Sequence, residues 1–82
     1  MELKVLIGRN VSRLRLAAGL SQEDLAGRVV MNRTYLSDIE RGVGNPTVEM
    51  LSVIATALKV PVVVLLVPQE RADAVTAALR AP

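Results

Sequence analysis

The chain has 82 residues, a net charge of +2 and a composition that is 51% hydrophobic, with Tyr35 as its one aromatic residue; that suffices for one domain with an aliphatic core. It holds no cysteine and no histidine, which removes disulfides, thiolate metal sites, the commonest metal ligand and the commonest general base. Seven basic and five acidic side chains fall in residues 1–41, a net of +2, against three of each in 42–82, so the positive excess sits in the first half, where it suits an acidic partner or an ordinary solvated surface.

Leu3, Ile7, Val11, Leu14 and Ala18 recur at spacings of three and four, one face of a first helix, which Gly19 ends. Leu20-Ser21-Gln22-Glu23-Asp24-Leu25 starts a second. Ser21 can accept from the Asp24 N–H and Asp24 can reciprocate, Leu20 and Leu25 sit at the two staple positions, and two first-turn acids suit the helix dipole. This helix should run over about 22–29. Val30-Met31-Asn32 breaks the pattern. Asn32 can cap a third helix over about 33–41, with Leu36 and Ile39 facing inward and Gly42 and Gly44 stopping it. Asn45-Pro46 makes a turn, and Thr47 caps a fourth helix whose stripe is Leu51, Ile54, Ala55 and Leu58.

Pro61 opens a short apolar segment with Leu65 and Leu66 as its expected core residues, and Pro68 ends it. A last helix over 69–80 carries Ala72, Val75, Ala78 and Leu79 on one side, and Pro82 closes the chain. Val60–Val67 is far shorter than the ~20 residues that cross a bilayer. The opening residues lack the apolar stretch and cleavage site of a signal peptide. The expectation is an all-α unit of five or six short helices, cytoplasmic, with no membrane partner.

The informative stretch is Ser21 to Gly42. Two short helices are joined by about three residues, and the second begins with Asn32, Arg33, Thr34, Tyr35, Ser37 and Asp38. Such a pair can lay its first helix across a DNA backbone and put its second in the major groove. Ala26 is small enough for a close crossing, and Leu25, Leu36 and Ile39 brace it.

These residues resemble the lambda-repressor-like helix-turn-helix family, the Cro/CI or XRE type. The likeness runs through "IGRNVSRLRLAAGLSQEDLA", "NRTYLSDIERG", "NPTVEMLSVIATAL" and "VPVVVLLVP", covering about residues 7–67 in the family's order and spacing. "NRTYLSDIERG" is closest to restriction–modification controller proteins, and phage-type repressors carry similar strings. The resemblance implies a compact five-helix DNA-binding domain over 1–67, with the motif at about 21–41, and an extra C-terminal helix over 68–82 that could aid dimerisation.

It also implies roles. Gln22 would hold a phosphate with its side-chain amide. Arg33 would pair with guanine O6 and N7, and the Thr34 methyl would pack on thymine. Asn32 and Arg41 would lie on the same DNA-facing surface. Ser37 and Asp38, one turn on, would reach bases or phosphates, although Asp38 could instead orient Arg33 or Arg41. Tyr35 would bond a phosphate or stack near the sugar backbone. Arg15 and Glu40 match a structural salt bridge of the family.

Two departures stand out. The family usually has a small residue where this chain has Val30, and a β-branched residue at positive φ is strained. The loop after the third helix is often basic in the family but reads Val43-Gly44 here, so one or two phosphate contacts would be missing.

The function expected is a sequence-specific, double-stranded-DNA-binding transcriptional regulator, dimeric on a palindromic operator and located at the nucleoid. Its dimer interface would be built on Val62, Val63, Val64 and Leu66, whose run is apolar on all sides. Two other fates remain open for this run: cover by the last helix within one chain, or a β-strand. The alternative function is an antitoxin or other interaction module that binds a partner protein through the apolar C-terminal third. Catalysis is not expected, since no Ser–His or Cys–His pair, phosphate loop or carboxylate cluster is present. No cofactor, metal or small-molecule substrate is expected either.

Overall fold

Helices α1 (Leu3–Ala17), α2 (Gln22–Arg28), α3 (Arg33–Glu40) and α4 (Val48–Ala57), a 3-10 helix (Val62–Leu66) and α5 (Gln69–Arg80) follow one another along the chain. The structure, a computed structural model, describes residues 2–80. Met1, Ala81 and Pro82, and with them the expected closure by Pro82 and the outer limits of the 1–67 and 68–82 units, lie outside the described residues. No strand occurs among the described residues, so Val60–Val67 does not form one.

The starts are fixed by side chains. Ser21 accepts from the Asp24 N–H while the Asp24 carboxylate accepts from the Ser21 N–H, both at 3.0 Å, a complete capping box. Asn32 Oδ1 accepts from the N–H groups of Thr34 (2.7 Å) and Tyr35 (3.3 Å), and Thr47 accepts from Met50.

The stops share one device. After each of the first four helices one residue turns left-handed while two N–H groups bond back over the last turn. Glycine takes that position after α1 and α3. After α2 and α4 it falls to Val30 (φ 52) and Lys59 (φ 60). The closing bonds are Met31 N–H to the Ala26 carbonyl at 2.8 Å and Val60 N–H to the Ala55 carbonyl at 3.0 Å. The caps take Val29 and Arg41 as their own, so α2 and α3 each end one residue earlier than expected.

The core is aliphatic: Ile7 and Val11 from α1, Leu25 and Ala26 from α2 with Val29 at its C-cap, Leu36 and Ile39 from α3, Leu51, Ile54 and Ala55 from α4 with Leu58 at its C-cap, and Leu65. α1 serves as its spine. At Gly8 its backbone comes so close to α3 that a Cβ would overlap the carbonyl oxygens of Ile39 and Glu40. Next to it Asn10 is buried and donates through Nδ2 to the carbonyls of Leu65 and Val67, each at 2.9 Å, and of Val64 at 3.3 Å. Arg13 donates to Asn10 Oδ1 at 3.2 Å. This amide therefore ties the 3-10 helix to α1 and satisfies carbonyls that a 3-10 end leaves open.

The C-terminal third departs from expectation. With three residues per turn, Val62 and Leu65 share the face that packs on the core, while Val63 and Leu66 share another. Leu66 is 37% exposed, not a core residue, and Val64 is only 3% exposed. Val64 is therefore buried within the chain and unavailable to a second copy, and α5 packs against the same 3-10 helix. On α5, Ala72 and Val75 are half-buried, whereas Ala78 and Leu79 lie open.

Val30 is 92% exposed, so its side chain gives nothing in packing for its strained φ. The left-handed conformation costs a branched residue about 1–2 kcal/mol, and glycine's extra chain entropy costs about 0.5–1 kcal/mol. Val30→Gly is therefore expected to raise the Tm by several degrees in a thermal melt; a lower Tm would show that Val30 holds a contact in this turn.

Candidate nucleic-acid interface

Burial divides α3 into two sides. Leu36 and Ile39 are buried in the core, while Asn32, Arg33 and Thr34 are exposed at its start and Tyr35, Ser37 and Asp38 are half-buried. The polar start of α3 therefore stands on the surface above an apolar base, next to the start of α2, where Gln22 is half-buried and Glu23 exposed.

The far end of α3 is clamped. Arg15 of α1 reaches Glu40 through two bonds, Nε to Oε2 at 2.7 Å and Nη2 to Oε1 at 3.0 Å, and its Nη1 donates to the Leu20 carbonyl at 2.8 Å. Only 8% of Arg15 is exposed. Hydrogen bonding to Glu40 and its negative charge raise the Arg15 pKa, against the opposing effect of burial, so the guanidinium stays charged. The expected Arg15–Glu40 bridge is present. Gln22 joins it, its Nε2 donating to Glu40 Oε1 at 3.1 Å. Gln22, expected to face a phosphate, thus spends one amide N–H inside the fold and keeps the other.

The remaining polar groups are also partly engaged. Asn32 uses its side-chain oxygen to cap α3. The Tyr35 hydroxyl donates to the Asn45 carbonyl at 3.4 Å, which positions the ring and leaves the hydroxyl oxygen as an acceptor. Asp38 pairs with Arg41 three residues on and not with Arg33. Arg33 instead meets Glu23, Nη1 to Oε1 at 3.4 Å.

Sequence reasoning missed three contacts: Glu23 with Arg33, Gln22 with Glu40, and the Asn10 tether. Each joins residues far apart in sequence, ten, eighteen and more than fifty positions, so helical periodicity carries no signal of them. Among the described residues no group of three His, Cys, Asp or Glu side chains is placed to hold a metal ion, and no helix is long and apolar enough to cross a membrane.

A helix-turn-helix family profile matches residues 11–65, within the 7–67 span over which the motifs resembled that family. A protein of Sinorhizobium fredii named as the uncharacterised HTH-type transcriptional regulator y4dJ is 43% identical over 70 residues, 85% of this chain and 91% of that one. The crystal structure of the hypothetical transcription factor NHTF from Neisseria superposes with a TM-score of 0.82 at 35% identity, covering 89% of this chain and 85% of that one. The restriction–modification controller protein C.Esp1396I, solved as a tetramer in complex with its natural 35 base-pair operator, superposes with a TM-score of 0.71 at 37% identity, covering 79% of this chain and 86% of that one.

The cap at the start of α2 has a pH signature. Hydrogen bonds from the backbone and side chain of Ser21 hold the Asp24 carboxyl below its usual range. A depressed carboxylate stabilises the fold above its unfolded pKa, about 3.9, and that contribution is lost as pH falls through the folded value. Acid titration of stability should show this loss in the native chain. In Asp24→Asn that part of the slope should be flattened; an unchanged acid profile would count against the box as a source of stability.

Proposed function

The chain belongs to the helix-turn-helix family, and from that premise we propose that it is a transcriptional regulator that binds double-stranded DNA in a sequence-specific manner, as a dimer on a palindromic operator. The observation that carries the reading is the exposed row Asn32, Arg33, Thr34 at the start of a helix whose other side, Leu36 and Ile39, is locked in the core.

In this reading α3 enters the major groove and α2 lies across the backbone. Arg33 offers paired N–H donors to guanine O6 and N7, and Thr34 offers a methyl to thymine. The second amide N–H of Gln22, the amide nitrogen of Asn32, and Ser37 bond phosphates or base edges, and Tyr35 packs along the sugar–phosphate backbone. Asp38 acts through Arg41, setting its guanidinium for a phosphate. With Val43-Gly44 after α3 there are few cations beyond these, so the salt dependence of binding is shallow for the family's architecture.

The dimer places two α3 helices about 34 Å apart, one turn of duplex. It is built on Val63 and Leu66, with Val62 at the edge and α5 beside them; Val64 drops out because it is buried. Support comes from the exposure of Leu66 and Leu79 and from the operator-bound assembly of C.Esp1396I. Residues 1–67 are the reading unit and the segment 68–82 the dimer's support. The protein works in the cytoplasm at the nucleoid, by binding alone, with no chemical step.

Selection of bound duplexes from a random pool tests this. A two-fold symmetric motif is expected; a pool without enrichment would defeat the reading. On the selected duplex, Arg33→Ala should weaken binding by about 1–3 kcal/mol and relax preference at one base position per half-site, as read by fluorescence anisotropy against single-base variants.

A further inference from the structure

We infer that Glu23 is a positioning residue for Arg33: its carboxylate sets the guanidinium for reading a base edge and penalises use of the same group on a phosphate. The inference rests on the DNA-reading assignment above. Glu23 is the second residue of α2 and Arg33 the first of α3. A left-handed turn at Val30 leads from α2 into α3, and Glu23 Oε1 lies 3.4 Å from Arg33 Nη1, with side chains 75% and 63% exposed.

An ion pair this open adds little to the fold. Its effect is on the guanidinium. That group carries five N–H donors in a rigid fork, and Glu23 engages Nη1 alone. The Nε/Nη2 edge stays available for the two acceptors of a guanine. Base edges are uncharged, so reading one leaves the Glu23 contact intact. A phosphate is an anion, and drawing the Arg33 head to it brings the Glu23 carboxylate towards like charge. The acid therefore weakens binding to arbitrary DNA more than binding to the operator. The other arginine on this surface, Arg41, is also held by a carboxylate, that of Asp38.

A purely local role for Glu23, as a first-turn acid favouring α2, predicts a change in stability and none in discrimination. The test compares native chain and Glu23→Gln on two probes: the duplex selected from a random pool, and a shuffled duplex of equal length and composition. Affinities are read by anisotropy across a salt series, with the Tm as a folding control. With Glu23→Gln, binding to the shuffled duplex should tighten about three- to fivefold at low salt. The log–log salt slope on that probe should steepen by about one, as Arg33 takes up a phosphate. Binding to the selected duplex should not tighten as much, so discrimination falls. Glu23→Asp, which keeps the charge, should retain most of it. In an Arg33→Ala background, Glu23→Gln should no longer alter the slope.

Equal discrimination and equal slopes in native chain and Glu23→Gln would overturn the inference, as would a slope change that persists without Arg33 or a Glu23→Asp variant as impaired as Glu23→Gln. If the native chain itself does not separate the two duplexes, the DNA-reading assignment fails and this inference falls with it.

Discussion

The bond network at the Glu40 carboxylate is the constraint on which the architecture depends. One carboxylate at the end of α3 accepts two bonds from Arg15 on α1 and one from Gln22 on α2, while Arg15 also holds the carbonyl that leads into α2. Three helices meet at this point. The two side chains of the ion pair are only 10% and 6% exposed, so removing one leaves a largely buried charge without its partner, a loss of up to about 3–5 kcal/mol. Small domains have a total stability of about 5–15 kcal/mol, so one side chain can decide whether the unit folds. Gly8 acts two turns earlier on α1, where its missing side chain lets the end of α3 sit against the α1 backbone. Together they fix the far end of α3 and leave its start standing clear.

Short helices cannot hold themselves. α2 has seven residues and α3 has eight, far below the length at which an isolated helix persists in water. Their persistence comes from what brackets them: side-chain caps at the starts, left-handed back-bonded stops at the ends, and burial of Leu25, Leu36 and Ile39. Val30 and Lys59 occupy left-handed positions that glycine would take without strain. The chain tolerates that strain because the back-bonds and the core on either side over-determine the turn.

Much of this was legible in the sequence because it is local. The capping box of Ser21 and Asp24, the caps at Asn32 and Thr47, and the stops at Gly19 and Gly42 all follow from residue types within one turn of each other, whereas the positive φ at Val30 was suggested by the family resemblance. The Arg15–Glu40 bridge came from family resemblance and not from spacing. What was not legible is non-local or depends on an unusual period. Asn10 carried no signal of its own within the first helix, yet it is a buried tether to a segment more than fifty residues away. Leu66 and Val64 exchanged their expected places because the segment winds as a 3-10 helix, whose three-residue period redistributes an all-apolar run. Within the candidate site, the exposed row at the start of α3 followed from the pattern, and Asp38 with Arg41 was one of two pairings expected, but the Glu23 carboxylate that meets Arg33 was not foreseen, since charge pairing across a turn leaves no periodic trace.

The central claim is that the start of α3, held out by a clamped end, is the surface that meets DNA. Backbone amide NMR of the labelled protein, titrated with a duplex recovered by selection, tests it most directly. The account predicts that the largest shifts fall at Gln22 and across residues 32–38, with the amides of Asn10, Val64 and Leu65 little moved. Shifts concentrated over residues 62–80, with 32–38 unperturbed, would contradict it.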